Sequence, residues 1–420
     1  MKGAAAFYDS FAPDTLQGRT ILQIIPKLDA GGAERTVLDI AAALAHAGAR
    51  ALVACERGRL VSELQALGGV WIPFPAASKN PLQMSLNSRR LAKILHAESV
   101  DIIHAHSRAP AWVALASLRK MRIPFVTSYH ANYGGTSALK LRYNSIMARG
   151  DAVIAHSHYT ADIIAQNYPG AMPRVQVIEC GTDFSQFRAE NVSSARVRQL
   201  RESWGVASHE RIILLPGRLT SIKGQKVLIE AAHILQEKGL EDARFILAGD
   251  EQGRTGYAGE LDALIAKYRL DNIVKRVGNC ADMPAAYLAA AVICVPSLVP
   301  EGFGRVAVEA QGVGTPVIAS DLGAVAETVL VPPRVEARER TGWQVPAGDA
   351  PALAHAVAEV IAMGASAREA LAERARAHVE GNFSIERMNA AMLHVYNQLL
   401  SGEIALQKPS LMRMGSAGYS

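Results

Sequence analysis

The stretch from Pro296 to Ala310 carries the densest set of groups able to do chemistry. Glu301 lies in a glycine-rich loop, Gly302 and Gly304 free the backbone around Phe303, and Glu309 sits in the helix that follows. With no His, Asp or third Glu beside them, these carboxylates are poor metal ligands. They are good acceptors for the vicinal hydroxyls of a sugar or a ribose. A second loop, Pro216 to Gln225, follows an apolar run and opens a helix, with Arg218 and Lys223 set among Gly217 and Gly224. Cations at a helix start, where N–H groups and the dipole also favour negative charge, suit a diphosphate. A third loop, Pro26 to Glu34, puts Gly31 and Gly32 directly before a helix. That arrangement serves an anion or an ordinary strand-to-helix turn equally well, and it is neither G-x-G-x-x-G nor a P-loop. The histidines say less. His104 with His106, and His156 with His158, stand at i, i+2 where strands end, without a Cys or carboxylate at matching spacing, so packing or a cleft edge explains them better than a metal. His130 follows the run Phe125–Tyr129, and a loop histidine taken alone reads as structural.

Loops like these work only when rigid elements hold them. From Arg19 onward, short β-branched runs alternate with longer helical stretches, the pattern of parallel βαβ units. Strands are predicted at Thr20–Ile25, Ala51–Cys55, Trp71–Phe74, Ile102–Ala105, Pro124–Tyr129, Ala152–Ala155 and Val175–Glu179, with helices such as Ala33–Ala47 and Ala109–Lys120 between them. After a break near residues 181–193 the alternation restarts, with strands at Ile212–Leu215, Phe245–Ala248, Ile273–Val277, Val292–Val295 and Val317–Ala319. Beyond Gly348 the pattern is helical only, over 350–380 and 384–400. The expected class is α/β, with two Rossmann-like domains in tandem. In such sheets ligands bind beyond the carboxyl ends of the strands, which is where the three loops fall.

The 420 residues are 50% apolar, 20% charged and 6% aromatic, enough for two or three domains with real cores. Disorder, collagen and disulfide scaffolds are excluded. Cys55, Cys180, Cys280 and Cys294 form no C-x-x-C pair, and the N-terminus has no apolar signal region, which together fit a reducing cytoplasm. The longest uncharged stretch, Met283 to Pro300, is interrupted by Pro284 and Pro296 and reads as helix then strand. Charge is uneven: residues 1–190 hold 20 Lys/Arg against 14 Asp/Glu, whereas residues 191–420 hold 24 against 25. The basic half points to an anionic partner or surface. A helix over Pro81–Ala97 would carry Leu86, Leu91, Ile94 and Leu95 with Arg89, Arg90 and Lys93, and Arg119, Lys120 and Arg122 form a second cluster. Contact with a membrane surface or a solvated helix face accounts for both.

The run from Glu301 to Glu309 resembles the E-x7-E motif of the retaining nucleotide-sugar glycosyltransferases of the GT-B fold, family four. The continuation Gly314 to Ser320, the Gly217-Arg-Leu and Lys223-Gly224 pairs, the segment Val177 to Asp183, and Ala33-Glu34 after the double glycine are similar as well. The resemblance spans about residues 19–400. It departs at Cys180, where the family usually has Asn, and at Gln311 to Gly314. The resemblance implies two Rossmann-like domains facing across a cleft, with C-terminal helices. The divisions expected are an acceptor domain at 19–190, a donor domain at 191–380 and a helix at 381–400 returning to the first domain, with the aperiodic ends, 1–18 and the Gly/Ser/Met-rich 401–420, read as mobile. The resemblance implies sugar transfer from a nucleotide diphosphate donor to an acceptor hydroxyl with retention, as a hexosyltransferase in glycan, lipopolysaccharide or exopolysaccharide biosynthesis. Arg218 and Lys223 would bind the diphosphate, Glu301 and the Gly302–Gly304 amides the sugar, and Glu309 the ribose. Gly31 and Gly32 would meet phosphate and acceptor, and His130 would be the active-site residue of the first domain. Arg218 and Lys223 would stabilise the leaving diphosphate in place of a divalent metal, so neither metal nor cofactor is expected. The expected partners are the donor, a saccharide or lipid-linked saccharide acceptor, and an anionic membrane surface on the cytoplasmic side, with no nucleic acid. The rival readings are a sugar-nucleotide epimerase or hydrolase of the same fold, and a sugar-nucleotide binding protein without turnover.

Overall fold

The computed structural model describes residues 16–29, 31–130, 133, 137–251, 253 and 255–406. The chain divides into two units, Met1–Gly181 with Glu386–Ser420, and Thr182–Ile385. The first unit is built on β1 (Thr20–Lys27), β2 (Arg50–Glu56), β3 (Val70–Pro73), β4 (Ile102–Ala105), β5 (Phe125–Tyr129), β6 (Ala152–Ala155) and β7 (Val175–Val177). They lie in the order β3-β2-β1-β4-β5-β6-β7, every pair parallel. Strands covered on both faces are largely apolar, and β4, β5 and β6 are buried at every position. The helix Gly32–His46 supplies one cover, burying Val37, Leu38, Ile40, Ala41 and Leu44 at helical spacing.

The helix Pro81–Ala97 starts where Asn80 accepts hydrogen bonds from the Leu82 and Gln83 N–H groups, with Pro81 in the first turn. Its apolar stripe needs correction as a surface feature: Leu91 and Leu95 are buried and Ile94 packs against the core, so they face inward. Leu82 and Leu86 are the large apolar side chains that the helix shows to solvent, at 78% and 57% exposure. The expectation of mobile termini falls largely on residues 1–15 and 407–420, which lie outside the described residues. Leu16 is buried, and the Gly18 N–H donates to the Gly48 carbonyl.

The second unit carries β8 (Arg211–Pro216), β9 (Ala243–Ala248), β10 (Val274–Gly278), β11 (Ala290–Val295), β12 (Val317–Ser320) and β13 (Trp343–Val345), in the parallel order β10-β9-β8-β11-β12-β13. Met283–Ala289 is helix and Ala290–Val295 strand, as the uncharged stretch implied. β13 went unrecognised in the sequence. Its three residues are too few to show a period, and they become a strand by pairing with β12, Trp343 opposite Ile318. The helix predicted over Ala109–Lys120 is an α-helix at Arg108–Ser117 followed by a 3-10 turn. In both sheets the strand order reverses beside the first strand, between β1 and β4 and between β8 and β11. In an open parallel sheet that reversal leaves a crevice at the carboxyl ends, because the two connections leave toward opposite faces.

Candidate functional site

The β8/β11 crevice of the second unit gathers two of the three loops singled out from sequence. The chain leaving β8 runs through Gly217 and Arg218 to a 3-10 turn at Ser221–Lys223, and Gly224 then opens the helix Gln225–Glu237. Gly224 has φ 73°, and a Cβ there would lie 1.8 Å from the Pro296 carbonyl oxygen. Only glycine allows this approach, which presses the loop after β8 onto the loop after β11. The Leu298 N–H donates to the Ile222 carbonyl at 2.8 Å, and the Gln225 side chain donates to the Arg218 carbonyl at 2.9 Å. The loop after β12 joins from the other side. Gly323, at φ 69°, fits where a Cβ would meet the Glu301 backbone, and the Ala324 N–H donates to the Glu301 carbonyl at 3.1 Å.

These constraints bring Lys223 and Glu301 together. Lys223 Nζ donates to Glu301 Oε1 at 2.6 Å, and Ser297 Oγ donates to the same oxygen at 2.5 Å. Burial pushes the Glu301 carboxyl up, and the Lys223 charge with the two hydrogen bonds outweighs it, leaving the carboxyl below its ordinary range. Glu301 is therefore an ionised, aimed carboxylate at neutral pH. Arg218, five residues before Lys223, is exposed and has no ion pair among the described residues. Gly304 opens the helix Arg305–Val313, so the Gly302–Gly304 segment lies at a helix N-terminus. Phe303 turns inward, its ring edge-on to that of Phe383 at 5.3 Å. Glu309, one turn further along the helix, accepts from Tyr287 Oη at 2.8 Å. Burial, and then the Glu309 charge, hold the Tyr287 phenol protonated.

Sequence reasoning missed Ser297 and Tyr287. Ser297 could have been found, since it precedes Glu301 by one loop turn. Tyr287 could not, because only folding brings its helix to Glu309. A cavity of about 780 Å³ elsewhere on this unit, among Arg196, Trp204, Lys275 and Cys280, holds none of the candidate site residues singled out from sequence.

In the first unit Gly31 precedes the helix Gly32–His46, and the Arg35 N–H donates to the Gly31 carbonyl at 3.1 Å. The histidines assemble at the carboxyl ends of β4, β5 and β6. His104 and His106 have ring centroids 4.0 Å apart, His106 and His130 5.2 Å, and His130 and His156 4.4 Å. His104 is bound by Tyr396 Oη at 2.7 Å and Ser128 Oγ at 2.8 Å, and His156 Nδ1 donates to the Ile178 carbonyl at 2.9 Å. Burial, reinforced by neighbouring histidines, pushes the His104 and His106 pKa values well below the ordinary range. His158 stands apart, largely exposed. Among the described residues no group of three or more His, Cys, Asp or Glu side chains is arranged to hold a metal ion. No single helix among them is long and apolar enough to cross a membrane.

Residues 30–186 match the family described as Glycosyltransferase Family 4, and residues 197–378 the one described as Glycosyl transferases group 1. A D-inositol 3-phosphate glycosyltransferase of Xylanimonas cellulosilytica is 28% identical over 403 residues, covering 88% of this chain and 92% of that one. A glycosyltransferase from Rickettsia africae has a similar structure, with TM-score 0.81 and 31% identity over 92% of this chain and 98% of that one. HepE of Anabaena, solved with UDP and glucose, has TM-score 0.79 and 26% identity over 90% and 99%. These likenesses do not favour the epimerase, hydrolase or non-catalytic readings.

Proposed function

We propose that this chain, which belongs to the family 4 nucleotide-sugar glycosyltransferases, moves a hexosyl group to a saccharide or lipid-linked saccharide hydroxyl with retention at the anomeric carbon. The Lys223–Glu301–Ser297 cluster at the β8/β11 crevice carries this reading. An ionised carboxylate beside a lysine, at a helix N-terminus, matches a sugar diphosphate group by group. Glu301 accepts from sugar hydroxyls. Lys223, Arg218 and the Gly302–Gly304 amides take the negative charge that gathers on the leaving diphosphate as the glycosidic bond breaks. Charge fixed in place beforehand costs no reorganisation at that moment, which is why we assign the role a divalent metal could play to these cations. Glu309, steadied by Tyr287, holds the ribose. His130, Gly31 and Gly32 are assigned to the acceptor and the reacting sugar.

A membrane-surface acceptor is favoured by one feature of the first unit. A cavity of about 470 Å³ has Met84, Trp112, Val113 and Ala116 in its lining and Lys79 and Arg119 as its cations. Leu82 and Leu86 are exposed on the same helix that contributes Met84, with Arg89, Arg90 and Lys93 also exposed. Apolar side chains among cations suit a peripheral site on an anionic leaflet. The overall reading is tested by incubating the protein with UDP-, GDP- and ADP-sugars, UDP-glucose first, with and without mono- and lipid-linked saccharides. Nucleoside diphosphate release that depends on acceptor and survives EDTA is expected. Release without any acceptor dependence, or loss in EDTA reversed by magnesium or manganese, would overturn it.

A further inference from the structure

Gln23 is a fully buried glutamine in the middle of β1, a place where an amide is costly unless both its ends are bonded. Its side-chain N–H donates to the Val37 carbonyl at 3.0 Å, so its Oε1 is the end that meets His106 Nε2 at 2.9 Å. An amide oxygen can only accept, and His106 Nε2 therefore carries a proton. Burial keeps His106 neutral, with His104 and His156 acting in the same sense. A neutral imidazole protonated on Nε2 has a lone pair on Nδ1. His106 Nδ1 lies 2.9 Å from His130 Nε2, so His130 must be the donor in that bond. The His106 ring is itself held in place. It lies against His104, the ring centroids 4.0 Å apart and the planes tilted by 34°, and His104 is tied by Ser128 and by Tyr396 from the helix Ile385–Ser401.

We propose that Gln23 and His106 are positioning residues that hold His130 in the tautomer protonated on Nε2, leaving Nδ1 as the nitrogen with which His130 accepts a hydrogen bond or a proton. The proposal rests on the assignment of His130 to the reaction. It adds what sets the state of that residue: a relay that begins at a backbone carbonyl, passes through a buried amide and a neutral imidazole, and ends at a half-buried one. A buried chain of this kind holds one proton arrangement because reversing any member leaves two donors or two acceptors facing each other.

The test combines a spectroscopic and a kinetic readout. In protein labelled with ¹⁵N-histidine, long-range ¹H–¹⁵N correlation reports which ring nitrogen of each neutral histidine is protonated, and comparison with His130→Ala assigns the His130 signals. The wild type is expected to show His130 protonated on Nε2. His106→Leu should remove this preference and lower kcat about tenfold with little change in donor KM, the loss of one ordering hydrogen bond. His106→Asn, whose side-chain oxygen can take the place of Nδ1, should restore both. Where His106→Leu fails to fold, Gln23→Met asks the same question one link earlier: it removes the acceptor that fixes the His106 proton and should weaken the His130 preference in the same way. A wild-type His130 protonated on Nδ1, an unchanged tautomer in His106→Leu, or Leu and Asn variants that are equally impaired would overturn the relay. Wild-type turnover in His130→Ala would instead overturn the assignment of His130, and with it the catalytic half of the proposal, while the tautomer measurement still decides the relay.

Discussion

Exchanging Glu301 for glutamine separates two jobs that the structure gives one carboxylate. Its Oε1 takes hydrogen bonds from Lys223 at 2.6 Å and Ser297 at 2.5 Å, and the amide of Glu301→Gln keeps an acceptor there while removing the charge. A charge-assisted hydrogen bond contributes about 1.5–3 kcal/mol. If that contribution grows as the sugar ring becomes cationic, the loss falls on kcat, about ten- to a hundredfold, and the donor KM changes little. Glu309→Gln acts on the ribose, which carries no developing charge, and should raise the donor KM by a similar factor. Lys223→Met breaks the same ion pair from the other side. Because the two groups touch, the double variant Lys223→Met/Glu301→Gln should cost less than the sum of the singles by about 0.5–3 kcal/mol. Steady-state release of nucleoside diphosphate from the donor, measured for the four variants with thermal melts as a check on folding, gives all of these numbers. Equal kinetic defects in the two glutamate variants, or strictly additive free energies for Lys223 and Glu301, would refute the reasoning.

Tyr287→Phe removes the hydroxyl that steadies Glu309 and should raise the donor KM about two- to tenfold at unchanged kcat; a kcat defect would argue against the ribose role. Gly224→Ala meets both a left-handed backbone and the Pro296 carbonyl, and should cost at least about 2 kcal/mol, roughly 4–8 °C in melting temperature. Gly239→Ala, at φ 84° with open space around it, should cost about half as much. His104 and His106 are kept neutral by the fold and titrate normally when unfolded. Their stabilisation is thus complete above about pH 6.5 and is lost as the pH falls toward their lowered values, at about 1.4 kcal/mol per pH unit for each. Denaturant titrations from pH 7 to 5 should show that slope, and His104→Asn should reduce it. Sedimentation with anionic vesicles should fall as salt rises and weaken in Leu82→Ser/Leu86→Ser; equal binding to neutral vesicles would remove the membrane-surface reading.

Much of this molecule can be read before it folds, because its determinants are local. A strand buried on both faces writes itself as a short apolar run, and a glycine-rich loop directly before a helix start is the local pattern of an anion site. For that reason β1, β4, β6, the Lys223 loop and the Glu301–Glu309 segment were legible in sequence order. Spacing likewise put Glu301 and Glu309 on one loop-and-helix unit. What sequence could not decide are the meetings of residues far apart in the chain. Lys223 and Glu301 are 78 residues apart, and what joins them is the parallel registration of β8 with β11 and the fit of Gly224 against Pro296. Leu91 and Leu95 looked like an amphipathic surface until packing turned them into core. The histidines looked like separate packing residues because i, i+2 spacing shows only which side of one strand they share. Placing β1, β4 and β5 in one sheet makes Gln23, His106 and His130 a single hydrogen-bonded line, since a side chain's proton state depends on its neighbours in space and not on its neighbours in the chain.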